Sequence, residues 1–180
     1  MVKKISQIIV LIVCSLFLAS FQLSFLNSLS GSFSQINLVF LFLIFTLFLT
    51  NLKTTLYFLL AVGFFLDLFS FHFFGFYLLS FGASLILADF ILNTLLTDKS
   101  LYSFWAITIS STIAYNLIGV LLTFITSGFS KVVGALASGF WQNLFYQVLW
   151  NVLGVSLFFY FSVFILKKFK PFLLENKKRL

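Results

Sequence analysis

The chain has 180 residues, of which 62% are apolar and 8% are charged, whereas an ordinary globular domain is about 45–50% apolar and about 25% charged. Too few polar side chains remain to cover a water-soluble fold of this length, so the composition excludes a soluble domain and predicts an integral membrane protein. The net charge of +7 comes from basic residues that flank apolar runs, which favours lipid headgroups as their partners and argues against nucleic acid.

Polar and glycine-containing breaks divide the sequence into six apolar runs. A helix that crosses a bilayer needs about 20 mostly apolar residues, within a range of about 17–25. We expect the first run to be a retained helix, because no small-x-small cleavage site follows it. The predicted fold class is all-α, a polytopic bundle of six transmembrane helices in one domain. In chain order, the predicted helices cover residues 5–26, 36–50, 55–70, 75–96, 101–126 and 140–166.

The distribution of basic residues predicts that both termini are cytoplasmic. With the N-terminus inside, Lys131 is the one basic residue in an outer segment, and the other ten of the eleven lie in inner segments. This is the bias of the positive-inside rule, and it also favours an even number of spans. The basic tail at 167–180 is expected to bind the anionic inner leaflet. The inner basic residues are Lys3, Lys4, Lys53, Lys99, Lys167, Lys168, Lys170, Lys177, Lys178 and Arg179.

Asp67 is the foremost candidate for a functional residue. It lies near the outer end of helix three, in the segment Gly63-Phe-Phe-Leu-Asp67-Leu-Phe-Ser70. A charged side chain inside a membrane costs about 2.5–3.5 kcal/mol on insertion scales, which makes such a residue a functional hypothesis. Two interpretations stay open. Either Asp67 caps a helix end or bonds Ser70, Tyr77 or a helix-six amide, or it recruits a partner or couples to protons.

Asp89 is the second intramembrane carboxylate, in the inner half of helix four. Its side chain is expected to reach the interface near Asp98 and Lys99 or to pair with Lys53. We interpret Asp89 as structural, because buried charges are normally paired.

The most regular polar pattern is an amide stripe on helix six. Asn143, Gln147 and Asn151 recur at i, i+4 and i+8, so they share one face of the helix. Helix five offers a counterpart that includes Asn116 and Gly119. Small and polar residues at such spacing let helices approach closely and form hydrogen bonds within lipid. The pattern predicts contact between helices five and six, with a substrate-lined cavity as the alternative.

The residues of a catalytic site are not visible in the sequence. Cys14 and His72 are the single cysteine and the single histidine, and no Ser-His-Asp triad, Cys-His pair or phosphate-binding loop can be assembled. We therefore expect a protein that is not an enzyme and that has no cofactor and no metal site.

Residues 37–125 resemble MreD, the small membrane subunit of the bacterial rod-shape system, or elongasome. The resemblance rests on the run Gly63-Phe-Phe-Leu-Asp67-Leu-Phe-Ser70-Phe-His-Phe-Phe-Gly75-Phe-Tyr77. The family has a similar glycine, three apolar positions, an aspartate, and a second glycine about eight residues later. The apolar helix, short polar turn and Ser100-Leu101-Tyr102-Ser103 that follow are also similar.

The resemblance implies a non-catalytic scaffold in the bacterial inner (cytoplasmic) membrane that organises peptidoglycan synthesis and maintains rod shape. The implied partners are an MreC-like protein, an MreB-like filament and a RodA-type wall synthase. Asp67 is the polar position that the family pattern carries over to this chain. An alternative of another class is the substrate-binding membrane subunit of an energy-coupling-factor vitamin transporter, in which the helix-six amides would bind the ligand.

Overall fold

We describe the protein from a computed structural model, which covers residues 2–70, 72–94, 101–128 and 139–175. Side chains are described from residue 11 to residue 161 within these ranges, except Ser127. This part of the chain is helical and contains no strand. Its elements are α1 (Val2–Ser24), the 3₁₀ turns η1 (Leu26–Ser28) and η2 (Gly31–Gln35), α2 (Leu38–Leu49), α3 (Leu52–Phe69), α4 (Phe76–Thr94), α5 (Leu101–Ser127) and α6 (Phe140–Glu175).

Five segments are long and apolar enough to cross a bilayer, as expected of a multi-pass membrane protein. They are Leu11–Ser28, Leu52–Phe69, Phe76–Thr94, Leu101–Thr126 and Phe140–Phe161. The sixth helix, α2, has 12 residues, which corresponds to about 18 Å at 1.5 Å per residue. This is less than the hydrocarbon thickness of about 30 Å, so α2 is shorter than the predicted helix at 36–50 and cannot cross the bilayer by itself.

The short helix α2 is the centre of the bundle. It contacts each of the other five helices, and these pack on one another in the order α1, α3, α4, α5, α6 around it. Thr46 is its one polar residue, and a helix that is apolar on all sides is stable where all sides are covered. Its buried residues are Val39, Phe40, Leu41, Leu43, Ile44, Leu47 and Phe48.

Two asparagines set the ends of the α2 segment. The Asn37 side chain accepts a hydrogen bond from the Phe40 N–H at 3.1 Å and begins α2. The Asn51 side chain accepts one from the Thr54 N–H at 3.0 Å and begins α3. Asparagine is a favoured N-cap because its side chain satisfies an N–H that has no partner within the helix. The two caps therefore explain why the apolar run at 36–50 becomes a helix of only three turns.

The two ends of the bundle differ in composition. We call the end with η1, η2 and the connection at 70–75 the turn end, and the opposite end, with the α2–α3 connection, the Lys53 end. The core of the Lys53 end is aromatic: the Phe48 and Phe104 rings stack at 4.4 Å, and the Phe45 and Phe158 rings lie 5.3 Å apart. Such ring pairs contribute about 0.5–1.5 kcal/mol beyond the area they bury.

Small side chains bring α4 and α5 close together. Ser80, Ser84 and Ala88 recur at i, i+4 and i+8 and are fully buried, and Ser111 and Thr112 of α5 are also fully buried. Small residues at this spacing permit close helix approach in lipid. This stripe was not identified in the sequence, where the polar faces of helices five and six were the more conspicuous pattern.

Helix α6 continues beyond its predicted end at residue 166, through Pro171 to Glu175. The first part of the predicted basic tail at 167–180 is thus helical, and residues 176–180 lie outside the described residues. The helix has 36 residues, or about 54 Å, so it is longer than a bilayer core is thick.

The topology can be tested with reporter fusions. We expect fusions at Lys53, Lys99 and the C-terminus to report cytoplasm and a fusion near Lys131 to report the opposite side, because of the basic-residue bias. Lys99 and Lys131 lie outside the described residues. A fusion at Lys53 that reports the same side as one near Lys131 would mean that α2 and its connection do not carry the chain across the membrane.

Candidate functional site

Asp67 caps the first turn of α4 from the preceding helix. Its Oδ1 accepts a hydrogen bond from the Tyr77 N–H at 2.8 Å, and its Oδ2 accepts one from the Leu78 N–H at 3.3 Å. The carboxylate is 4% exposed and lies at the positive end of the helix dipole, where negative charge is stabilised. The Ser70 hydroxyl donates to the Asp67 backbone carbonyl at 3.5 Å and not to the carboxylate. These contacts match the first interpretation of Asp67, that it caps a helix end, and the capped helix is α4.

Two glycines bring α3 and α4 into position for this cap. A Cβ on Gly63 would lie 2.7 Å from Cδ2 of Leu78, so the glycine permits close packing of the two helices. Gly75 has φ +97°, a conformation that favours glycine over other residues. Gly63, Asp67, Ser70 and Gly75 therefore act together in one helical hairpin, which we call the motif hairpin (residues 63–78).

Two of the three helix-six amides face α5. Asn116 Nδ2 donates to Gln147 Oε1 at 2.7 Å, and Asn151 Nδ2 donates to Thr112 Oγ1 at 3.2 Å. Asn116 Nδ2 also donates to the Thr112 carbonyl at 2.8 Å. The first two bonds join α5 to α6, as expected of polar side chains within lipid, and the third lies within α5.

Asn143 and Gly119 do not belong to the α5–α6 contact. Asn143 is exposed and lies in a polar cleft of about 420 Å³ with Gln35 and Tyr146. A Cβ on Gly119 would meet Phe76 of α4 at 3.5 Å. Helical periodicity placed both residues on the predicted faces. However, Asn143 faces a cleft beside η2, and Gly119 faces α4.

Gln22 on α1 is a structural residue that the sequence analysis missed. Its Nε2 donates to the Ile36 carbonyl at 2.9 Å and to Asn27 Oδ1 at 3.2 Å, and its Oε1 accepts from the Leu38 N–H at 2.8 Å. The side chain thus fixes the start of α2 to α1. An amide in an otherwise apolar span was the signal that could have identified it.

A polar cavity of about 150 Å³ lies beneath the α1–α2 connection at the turn end. Helices α1, α3, α4, α5 and α6 contribute side chains to its wall, together with the segment that precedes α2. We refer to it as the polar cavity. Its lining residues include Gln22, Asn27, Ser34, Gln35, Asn37, Tyr77, Tyr115 and Gln147.

Asp89 lies apart from the cavity and from the motif hairpin. It is half-buried on α4, whereas Lys53 is exposed near the start of α3. The two described side chains form no ion pair, and the other expected neighbours, Asp98 and Lys99, fall outside the described residues. Among the described residues, no functional arrangement forms around Asp89.

Comparison of the chain with protein-family models, with curated proteins and with solved structures gave no match.

The cap predicts a graded effect of changes at Asp67. Asp67→Ala removes both acceptors and should lower the free energy of unfolding in detergent by about 1 kcal/mol, within the range of about 0.5–2 for lost helix caps. Asp67→Asn retains one acceptor and should cost less. Unfolding by titration with a denaturing detergent measures both changes.

The matched control is Asp89→Asn, which removes an intramembrane carboxylate that caps no helix. It should leave the stability of α4 unchanged. If the Asp67→Asn protein is as unstable as the Asp67→Ala protein, the single acceptor that Asn retains does not cap α4, which would contradict the graded effect.

The α5–α6 amides predict measurable coupling. In a double-mutant cycle of Asn116→Leu and Gln147→Leu, we expect an interaction energy of about 0.5–2 kcal/mol, the range for interhelical hydrogen bonds in lipid. Asn143→Leu is the control, because this side chain is exposed. Additive effects of the first two changes would argue against the Asn116–Gln147 bond.

Proposed function

We propose that the chain is a non-catalytic, MreD-like scaffold of the bacterial elongasome. It would lie in the cytoplasmic membrane with six passes and both termini in the cytoplasm. The observation that carries the proposal is the motif hairpin, whose sequence is the part of the chain that resembles the family. The basic-residue bias supports the orientation, with α2 as a short pass completed by the polar segment that precedes it.

A scaffold needs a surface of fixed shape, and the motif hairpin supplies one. The two N–H bonds to Asp67 and the close contact at Gly63 fix the angle between α3 and α4. At its tip, the rings of Phe69, Phe73 and Phe74 are exposed. Exposed aromatic rings at the end of a bundle are suited to the membrane interface or to a protein partner.

The proposed partners follow from the sidedness. The hairpin tip would face the periplasm, where an MreC-like protein would bind it. The Lys53 end would face the cytoplasm near an MreB-like filament, with the basic tail on anionic lipid. A RodA-type wall synthase would associate with the lipid-facing sides of the helices.

A second candidate function has one observation in its favour. The polar cleft beside Asn143 measures about 420 Å³, within the range of about 300–1,000 Å³ for small-molecule sites. A vitamin-binding subunit of an energy-coupling-factor transporter would bind its ligand in such a cleft.

Depletion of the protein in a rod-shaped host tests the scaffold. We expect rounded cells, and we expect an MreC-like protein to copurify from mild detergent, because the role is one of binding. Replacement of Phe73 and Phe74 by serine should abolish that copurification without unfolding the bundle, since both rings are exposed. Ile86→Ser, on an exposed position of α4 about 15 Å from the helix start at 1.5 Å per residue, is the matched control and should retain the partner.

The transporter alternative makes the opposite claims. Normal cell shape on depletion, together with a vitamin bound stoichiometrically to the purified protein and lost on Asn143→Leu, would overturn the scaffold.

A further inference from the structure

The α1–α2 connection is not a regular α-helix, and its last part, residues 34–37, is half-buried or buried. Its turn η2 packs against α6, and the Phe33 ring lies 4.7 Å from the Trp150 ring. Trp150 is about ten residues into α6, or about 15 Å from the helix start at 1.5 Å per residue. This position is inside the candidate span Phe140–Phe161. Phe33 of the connection therefore lies beside a residue of a candidate membrane span.

Irregular backbone at membrane depth is stable where protein buries it or where it lines a water-filled cavity. Gln22 pairs with the last part of the connection, at Ile36 and Leu38. The polar cavity lies directly beside the rest, since Ser34 and Gln35 form part of its wall. Protein therefore covers the last part of the connection, and the second condition requires water in the polar cavity.

Polar groups converge on the cavity without a protein partner. Among the described residues, no hydrogen bond involves the hydroxyls of Tyr77 and Tyr115, the Gln147 Nε2 or the Asn37 Nδ2. Among the described residues, the unpaired side-chain atoms that packing encloses fully belong to Ser80, Trp150 and Asn151. The four groups at the cavity are not among them, so they are accessible to a water molecule. Amides and hydroxyls that face hydrocarbon are costly, whereas water satisfies them.

The polar cavity adjoins two further openings at the turn end. One of about 180 Å³ shares Tyr115 and extends along Asn116 to Thr123. The other is the cleft of about 420 Å³ at Asn143, which shares Gln35. We call the three together the vestibule. On the side of the Lys53 end, Phe40 and Phe81 close it with stacked rings 5.1 Å apart, and both residues are fully buried.

We propose that the vestibule is water-filled and open to solution at the turn end, and that it admits small neutral solutes with amide or hydroxyl groups. The described residues that line it carry hydroxyl, amide and apolar groups and no charged side chain. These residues offer an ion no counter-charge, in a setting where unpaired charge is costly.

Alkylation of single cysteines tests the proposal in the full-length protein in lipid vesicles. In a Cys14→Ser background, Ser34→Cys and Thr123→Cys place thiols in the vestibule with little change in size. Ser20→Cys is the matched control, because Ser20 is exposed on α1 two residues before Gln22 but outside the vestibule. Iodoacetamide, a small neutral amide, is the probe, and rates are normalised to those of the denatured protein.

Thiols react as thiolates, which form in water and not in apolar surroundings. We therefore expect both vestibule thiols to react at least about tenfold faster than Ser20→Cys, with equal rates after denaturation. For each reagent, the rate at the vestibule sites is divided by its rate in the denatured protein. We expect this ratio to be lower for the anionic analogue iodoacetate than for iodoacetamide. If the vestibule thiols react as slowly as the Ser20→Cys thiol, the vestibule is not hydrated. If iodoacetate and iodoacetamide are slowed equally relative to the denatured protein, the vestibule has no preference for neutral solutes.

Discussion

The fold depends on side chains that accept hydrogen bonds from helix N-termini inside the bundle. The first N–H groups of a helix have no partner within it, and in lipid no water replaces that partner. For α2, the acceptors are Gln22 at the Leu38 N–H and Asn37 at the Phe40 N–H. For α4, the acceptor is the Asp67 carboxylate. In both cases an acceptor comes from the preceding long helix, so the cap also fixes how the two helices pack.

These caps account for the difference between the two ends of the bundle. They require amides and a carboxylate at the turn end, and the remaining polar groups there surround the polar cavity. At the Lys53 end, the helices meet mainly through rings such as Phe48 and Phe104, which need no polar partner, and through the hydrogen bond from Trp105 Nε1 to Ser156 Oγ at 2.8 Å. The short central helix α2 links the two regions, since its capped start lies beside the cavity and its end lies in the aromatic core.

The scaffold that we propose uses the same interactions for recognition. In the motif hairpin, Asp67 has its two N–H partners within the protein, so its charge stabilises α4 and is not directed outward. The groups available to a partner are the exposed rings at the hairpin tip. The conspicuous aspartate therefore determines the shape of the surface, while the aromatic side chains supply the apolar area that binding needs.

The sequence by itself determined the helical class and the long membrane-compatible segments, because hydropathy and helical periodicity act within a single helix. It also placed Asn116, Gln147 and Asn151 on faces that meet. Only the tertiary structure decided that α2 is the short centre of the bundle and that Asp67 caps α4. It also decided that Asn143 faces a cleft, that Gly119 faces α4, and that Gln22 fixes the α1–α2 connection. Each of these features depends on which helices are neighbours. Many helix pairings bury a similar apolar area, so hydropathy does not select one of them. A hydrogen bond such as that between Gln22 and the Leu38 N–H forms in only one arrangement.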